Sequence, residues 1–290
     1  MTQLARRGPY KVLSGDLGIV GITGSLFVPA EGERLPAIAF GHAWMTTSAR
    51  YRDLLMHLAS WGIVVVAPDS QTGMLASDTA LAADLRSTLT VVSRFPLGFG
   101  QITVDPEKIG VAGHGFGASA AVIAAGTDDL GGQPPLNIRG VAGVFPAPTT
   151  ATLLPTAATV TAPGTFLANA GDLDKFDANA LPLSQAYGGD VTLRTIAKGG
   201  TRDLLERRSI KNLLGINGAD KKVHAATRAL ITGFVLATVA DDPTYAVFTN
   251  PEELLGKLGN IDLDDAPERE LDHVSMLVGA KPRRRRARTD

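Results

Sequence analysis

The sequence predicts an α/β fold, a mostly parallel, doubly wound sheet of about eight strands flanked by helices. Three observations carry that expectation. Residues 36–40 and 62–67 are short continuous apolar runs, the composition of strands buried on both faces. Between them Tyr51, Leu54, Leu55, His57, Leu58 and Trp61 recur at helical spacing. The same strand and helix signals then alternate for most of the chain, as a parallel sheet covered on both faces requires.

Taken in order, residues 18–28 alternate apolar and small side chains around glycines, as an antiparallel strand does, and Pro29 with the polar loop to Arg34 ends it. Residues 36–67 form a βαβ unit, right-handed by the general rule. There follow a helix over 81–95, a strand over 108–112, a helix over 116–125, strands over 140–145, 165–169 and 191–196, and a long helix over 220–240. The segment 146–162, rich in Thr, Ala and Pro, reads as a loop, and 251–258 as a short amphipathic helix. Functional groups in such a sheet gather at the carboxyl ends of its strands.

With 290 residues, 44% of them hydrophobic, the chain is long enough for one large core and demands no second one. Cysteine is absent, which excludes disulfides, a thiolate nucleophile and thiolate metal sites. Residues 1–10 lack the apolar run of a signal peptide, and no segment approaches the roughly 20 apolar residues of a membrane span. The expectation is a cytoplasmic protein without a cofactor. Formal charge is −1, unevenly spread: an acidic stretch, 262–272, precedes Arg283, Arg284, Arg285, Arg286 and Arg288. Such a run is by default a solvated, disordered tail. Its functional reading is electrostatic attachment to an anionic membrane surface or an acidic partner, without specific nucleic-acid recognition.

The most informative residues are Gly113-His114-Gly115-Phe116-Gly117, between an apolar strand and a helix of small residues. This is the context of the G-x-S-x-G nucleophile elbow, where a sharp turn lifts the middle side chain above the sheet. Here the middle residue is glycine. A phosphate cradle is disfavoured, because the Gly-Lys-Ser/Thr ending is missing and the turn comes too late in the chain for a dinucleotide fingerprint.

With this elbow, residues 37–44 (AIAFGHAW), 58–69 (LASWGIVVVAPD) and 242–248 (DPTYAVF) resemble the α/β-hydrolases of the dienelactone hydrolase and bacterial cutinase type, from Gly8 to about Pro251. The resemblance implies an α/β-hydrolase domain over residues 1–255 and a C-terminal extension over 256–290. It also implies a Ser, Asp, His triad in that chain order. Gly115 stands at the serine position. Asp174, with Asp172 as the alternative, stands at the acid position, and Arg202 replaces the histidine in Gly-Gly-Thr-His. The oxyanion donors implied are the amides of Ala43 and Phe116.

Glycine offers no nucleophile, and arginine is no general base near neutrality. Losing either member costs on the order of 10⁶ in kcat. The favoured expectation is therefore a pseudohydrolase whose pocket binds a lipid-like or acyl ligand or a protein partner. The alternative is an active carboxylic-ester hydrolase with an unusual nucleophile, for which Ser119 is the candidate. His42 and His114 flank the site and are expected to orient loops through backbone hydrogen bonds; with Asp174 they make only a poor metal set, since no ligand spacing supports one. Trp44 and Met45 are candidates to line the pocket. Arg202 is expected to pair with Asp172 or Asp174, or else to offer its charge to an anionic ligand.

Overall fold

The computed structural model describes residues 1–128, 130, 132–173, 175, 178–206 and 218–266. Among them nine strands form one sheet: β1 (Val12–Asp16), β2 (Gly24–Pro29), β3 (Gly32–Gly41), β4 (Val64–Pro68), β5 (Ile102–His114), β6 (Ile138–Val144), β7 (Gly164–Asn169), β8 (Val191–Ile196) and β9 (Gly259–Ile261). Their order is β1-β2-β4-β3-β5-β6-β7-β8-β9. The block from β4 to β8 is parallel, while β1 and β2 at one edge and β9 at the other run antiparallel to their neighbours. The helices are α1 (Arg52–Ala59), α2 (Asp78–Arg94), α3 (Phe116–Gly126), α4 (Leu153–Ala157), α5 (Ala180–Ala186) and α6 (Gly218–Thr238).

Alternation along each central strand divides the core in two. Ala37 and Ala39 of β3, with Val64 and Val66 of β4, pack under α2, α3, α4 and α5. Ile38, Phe40, Val65 and Ala67 point the other way, to α1 and α6. Both faces are covered over residues 37–40 and 64–67, so these stretches carry no polar residue, and the apolar runs in the sequence follow directly from that burial.

The structure departs from expectation where strands are solvated or interrupted. β1 is exposed along most of its length and so lacks the alternation that marks a half-buried strand. β5 begins at Ile102, six residues before the predicted start, because Pro106 sits in a register shift that a proline tolerates. Within 146–162, α4 interrupts the expected loop, and α5 had no counterpart in the prediction. Residues 251–258 are turns and not the expected amphipathic helix. These turns are held by the buried guanidinium of Arg194 on β8, which donates to the carbonyls of Glu253 (2.7 Å) and Asn250 (2.6 Å) and to the Asn260 side chain. The sheet thus continues through β9, past residue 255. Residues 267–290, with the acidic–apolar segment and Arg283, Arg284, Arg285, Arg286 and Arg288, lie outside the described residues. Among the described residues no helix is long and apolar enough to cross a membrane.

Candidate functional site

The loops that follow β3, β4, β5, β6, β7 and β8 meet at the carboxyl edge of the sheet. At its centre β5 ends on His114, Gly115 turns the chain, and α3 starts at Phe116. Gly115 has φ 57° and ψ −116°, a conformation that costs a residue with a side chain about 1–3 kcal/mol. Its amide donates to Val144 O (2.9 Å) and its carbonyl accepts from Ala147 N–H (3.2 Å), so the turn is tied to the end of β6. The flanking glycines have a steric cause. A Cβ on Gly113 would lie 2.2 Å from Gly117 O, and one on Gly117 would lie 2.1 Å from Gly41 O. The start of α3 therefore presses on the ends of β3 and β5, and the elbow geometry is present in full.

The loop after β3 is fixed from beneath. His42 is buried, with Nδ1 2.9 Å from Ala43 O and Nε2 2.7 Å from Ser70 O. Both partners are backbone carbonyls, the loop-orienting role expected for it, and a neutral ring donates to one of them at a time. Thr46 Oγ1 also donates to Ala43 O (2.7 Å), and Asp69 accepts from the amide and hydroxyl of Ser48. The amide of Ala43, expected to serve an oxyanion, instead donates to Tyr51 Oη at 3.0 Å. Tyr51 Oη in turn lies 2.8 Å from His114 Nδ1. His114 thus bonds the Tyr51 hydroxyl, and its ring packs edge-on against Tyr51 and Phe145. Burial pushes the Tyr51 phenol up to about 12, so it stays protonated near neutrality and serves as neither base nor nucleophile.

Ser119 is fully buried, and its hydroxyl donates to Ala147 O at 2.6 Å. It fastens α3 to the loop after β6, the packing role expected of it. At the acid turn, Asp172 forms an ion pair with Lys175. Asp174 lies outside the described residues. Arg202 is exposed on a single turn, Thr201–Leu204, after β8. The expected pair between Arg202 and Asp172 is absent among the described residues, since Asp172 is taken by its neighbour three residues on.

Two residues that sequence reasoning passed over, Asn169 and Glu206, tie the loops after β7 and β8 to their surroundings. Asn169 at the end of β7 accepts from Gly171 N–H (2.8 Å) and donates to Gly199 O, which clamps the turns after β7 and β8 together. Glu206 accepts from the amides of Asp53 (2.8 Å) and Leu54 (3.2 Å), capping the start of α1. Burial raises its carboxyl above the usual range. Neither role leaves a local signal, because each partner is distant in the chain.

Beside Phe116 lies an open groove of about 510 Å³, lined by Trp44, Ala76, Asp78, Phe116, Pro148 and Thr150 among others. Trp44 and Phe116 line this groove, and Met45, the other candidate, is not among its lining residues. Asp78 is buried there and accepts from Thr79 N–H (2.8 Å) and the Thr150 hydroxyl (2.9 Å).

Comparison with known families agrees with this architecture. Residues 22–157 match the family model described as Chlorophyllase, an α/β-hydrolase-related family. The matched stretch includes the turn at His42 and the elbow at Gly115 and ends before the acid and histidine turns. A search of curated proteins finds no match. Fold and match together give the chain an α/β-hydrolase-like fold.

Proposed function

We propose that the chain is a pseudohydrolase: an α/β-hydrolase-fold protein that has given up ester hydrolysis and keeps the groove beside Phe116 for a lipid-like or acyl ligand. The observation that carries this is Gly115, which holds the strained elbow geometry of a nucleophile while supplying no atom to attack with. The nearest hydroxyl along the helix, on Ser119, is spent on Ala147 O. Arg202 stands in the turn where the resemblance to dienelactone hydrolases and bacterial cutinases puts the histidine, and Asp174, or Asp172, where it puts the acid. The Ala43 amide is occupied as well.

Together these account for the loss of each catalytic part. Loss of either the nucleophile or the base costs on the order of 10⁶ in kcat, and the second loss adds little because the two act as a unit. An oxyanion hole alone retains roughly 10³ over water, and here one of its two expected donors is engaged elsewhere. A groove of about 510 Å³ falls within the range of small-molecule sites, and its aromatic walls suit an apolar chain. The reading places the protein in the cytoplasm, with the sheet through β9 as the ligand-binding body and the basic run near the C-terminus as a separate charged element.

The test is a rate measurement on short p-nitrophenyl esters. The expected result is hydrolysis indistinguishable from buffer, alongside saturable binding of a soluble fluorescent fatty acid. Turnover that disappears on mutating one serine would make the protein an active esterase instead.

A further inference from the structure

The groove beside Phe116 has a sign as well as a shape. Its two large side chains are aromatic: Trp44, 52% exposed on the loop after β3, and Phe116 at the start of α3. The carboxylate beside them is Asp78, 2% exposed in the first turn of α2. Its oxygens accept from Thr79 N–H (2.8 Å) and from Thr150 Oγ1 (2.9 Å), and among the described residues it is in no ion pair. Asp69 and Asp84, on the same loop and helix, likewise accept from the neutral donors Ser48 and Ser70. Among the described residues no Lys, Arg or His lines the groove; Arg50, Lys198 and Arg202, at the same edge of the sheet, are not in its lining. The amino ends of α2 and α3 also face it, and each brings about half a positive charge, less than the carboxylates supply.

The walls are fixed by bonds within the chain. Thr46 Oγ1 donates to Ala43 O on one side of Trp44, and Ser48 is tied to Asp69 on the other. Across the groove, Ser77 N–H donates to the Gln71 side chain at 3.0 Å, and Ser77 Oγ accepts from Ala80 N–H at 3.2 Å. A ligand therefore meets a surface whose ordering cost is already met.

A buried carboxylate without a counter-ion favours a cation in the space beside it, and aromatic faces attract the same charge through their quadrupoles. The kind of cation follows from what the walls can accept. Asp78 is turned to Thr79 and Thr150, so its charge reaches the groove as a field and not as a contact. A primary ammonium would give up its hydrogen bonds to water, and the side chains of Trp44, Phe116, Ala76, Ala147 and Pro148 offer no acceptor in exchange. A quaternary ammonium has no N–H to satisfy, and its methyl groups suit these walls.

We infer that the groove takes an amphiphile with a quaternary ammonium head, which sits against Trp44 and Phe116 beside Asp78 while the apolar chain follows Ala76, Ala147 and Pro148. This rests on the acyl-ligand reading above and assigns the charge of that ligand's head.

The test is calorimetric titration of the full chain with four ten-carbon probes held below their micelle concentrations: decyltrimethylammonium, decylamine, decanol and decanoate. Decyltrimethylammonium is expected to bind about tenfold more tightly than decylamine or decanol, and decanoate more weakly still. Trp44→Leu keeps an apolar contact at a half-exposed position but removes the π face, and Asp78→Asn removes the charge. Each is expected to abolish most of the preference while decanol binding stays the same. Equal binding of the four probes overturns the inference and leaves the acyl groove standing; binding of none removes both. Equal affinity for decylamine and decyltrimethylammonium overturns the quaternary head. A preference that survives in both folded variants places the cation elsewhere and overturns the assignment to this groove.

Discussion

The amide of Ala43 donates to the hydroxyl of Tyr51 at 3.0 Å, and that hydroxyl sits 2.8 Å from His114 Nδ1. The residue expected to steady an oxyanion thus completes a buried chain of hydrogen bonds that runs from the loop after β3 to the end of β5. In a low-dielectric interior such a chain is stable while every member is satisfied, and removing one member costs about 1–3 kcal/mol. On the proposed pseudohydrolase reading, the loss of catalysis extends beyond Gly115 and Arg202 to the electrostatic part of the site.

Gly115→Ser alone is expected to destabilise the protein by about 1–3 kcal/mol, because serine must adopt φ 57° and ψ −116°. Thermal and urea unfolding check this, and ester hydrolysis is expected to stay at background. A serine variant as stable as the parent would show that the elbow conformation is not imposed by its surroundings.

Gly115→Ser with Arg202→His is expected to bring slow hydrolysis of p-nitrophenyl acetate. Adding Tyr51→Phe frees the Ala43 amide and is expected to raise that rate further, by up to about 10², at the stability cost given above. Initial rates on variants shown to be folded decide it. A triple variant no faster than the double removes Tyr51 from the account.

Acid sensitivity is expected from His57. It is buried in α1, its Nε2 lies 2.9 Å from Leu4 O, and burial together with the nearby Arg228 lowers it to about 4. The unfolded chain takes up this proton near 6.5 and the folded chain resists it, so the stabilising difference is complete above about pH 6.5 and is lost as pH falls through 4. The loss is at most about 3 kcal/mol. Urea midpoints measured between neutral pH and pH 4 should fall more steeply for the parent than for His57→Gln; parallel slopes would contradict this.

Arg194→Met is expected to cost about 2–4 kcal/mol, since it strands the carbonyls of Asn250 and Glu253 and the Asn260 side chain. Limited proteolysis should then cut within residues 250–261. Resistance equal to the parent would mean that β9 holds this segment by itself.

The fold was legible because α/β packing writes itself into sequence. Strands such as β4, buried on both faces, must be continuous apolar runs, and α1 must repeat its apolar residues at helical spacing. β1 and β9 were not legible, since a solvated edge strand imposes no pattern. The elbow was read from Gly115 between Gly113 and Gly117, and the small size of those two flanking residues is forced by backbone contacts with Gly117 and Gly41. By contrast Tyr51 reads in sequence as one more apolar face residue of a helix, and only the folded chain brings its hydroxyl to Ala43 and His114. Asn169 and Glu206 are of the same kind. Asp172 went to Lys175 and not to Arg202, because a neighbour three residues along is always within reach.

The central claim, that no residue of this site attacks an acyl carbon, is tested most directly by incubating the native protein with a fluorophosphonate probe and locating any adduct by mass spectrometry. The account expects an unmodified protein under conditions that label an active serine hydrolase to completion. Stoichiometric phosphonylation of a single serine, lost when that serine is replaced by alanine, would contradict it.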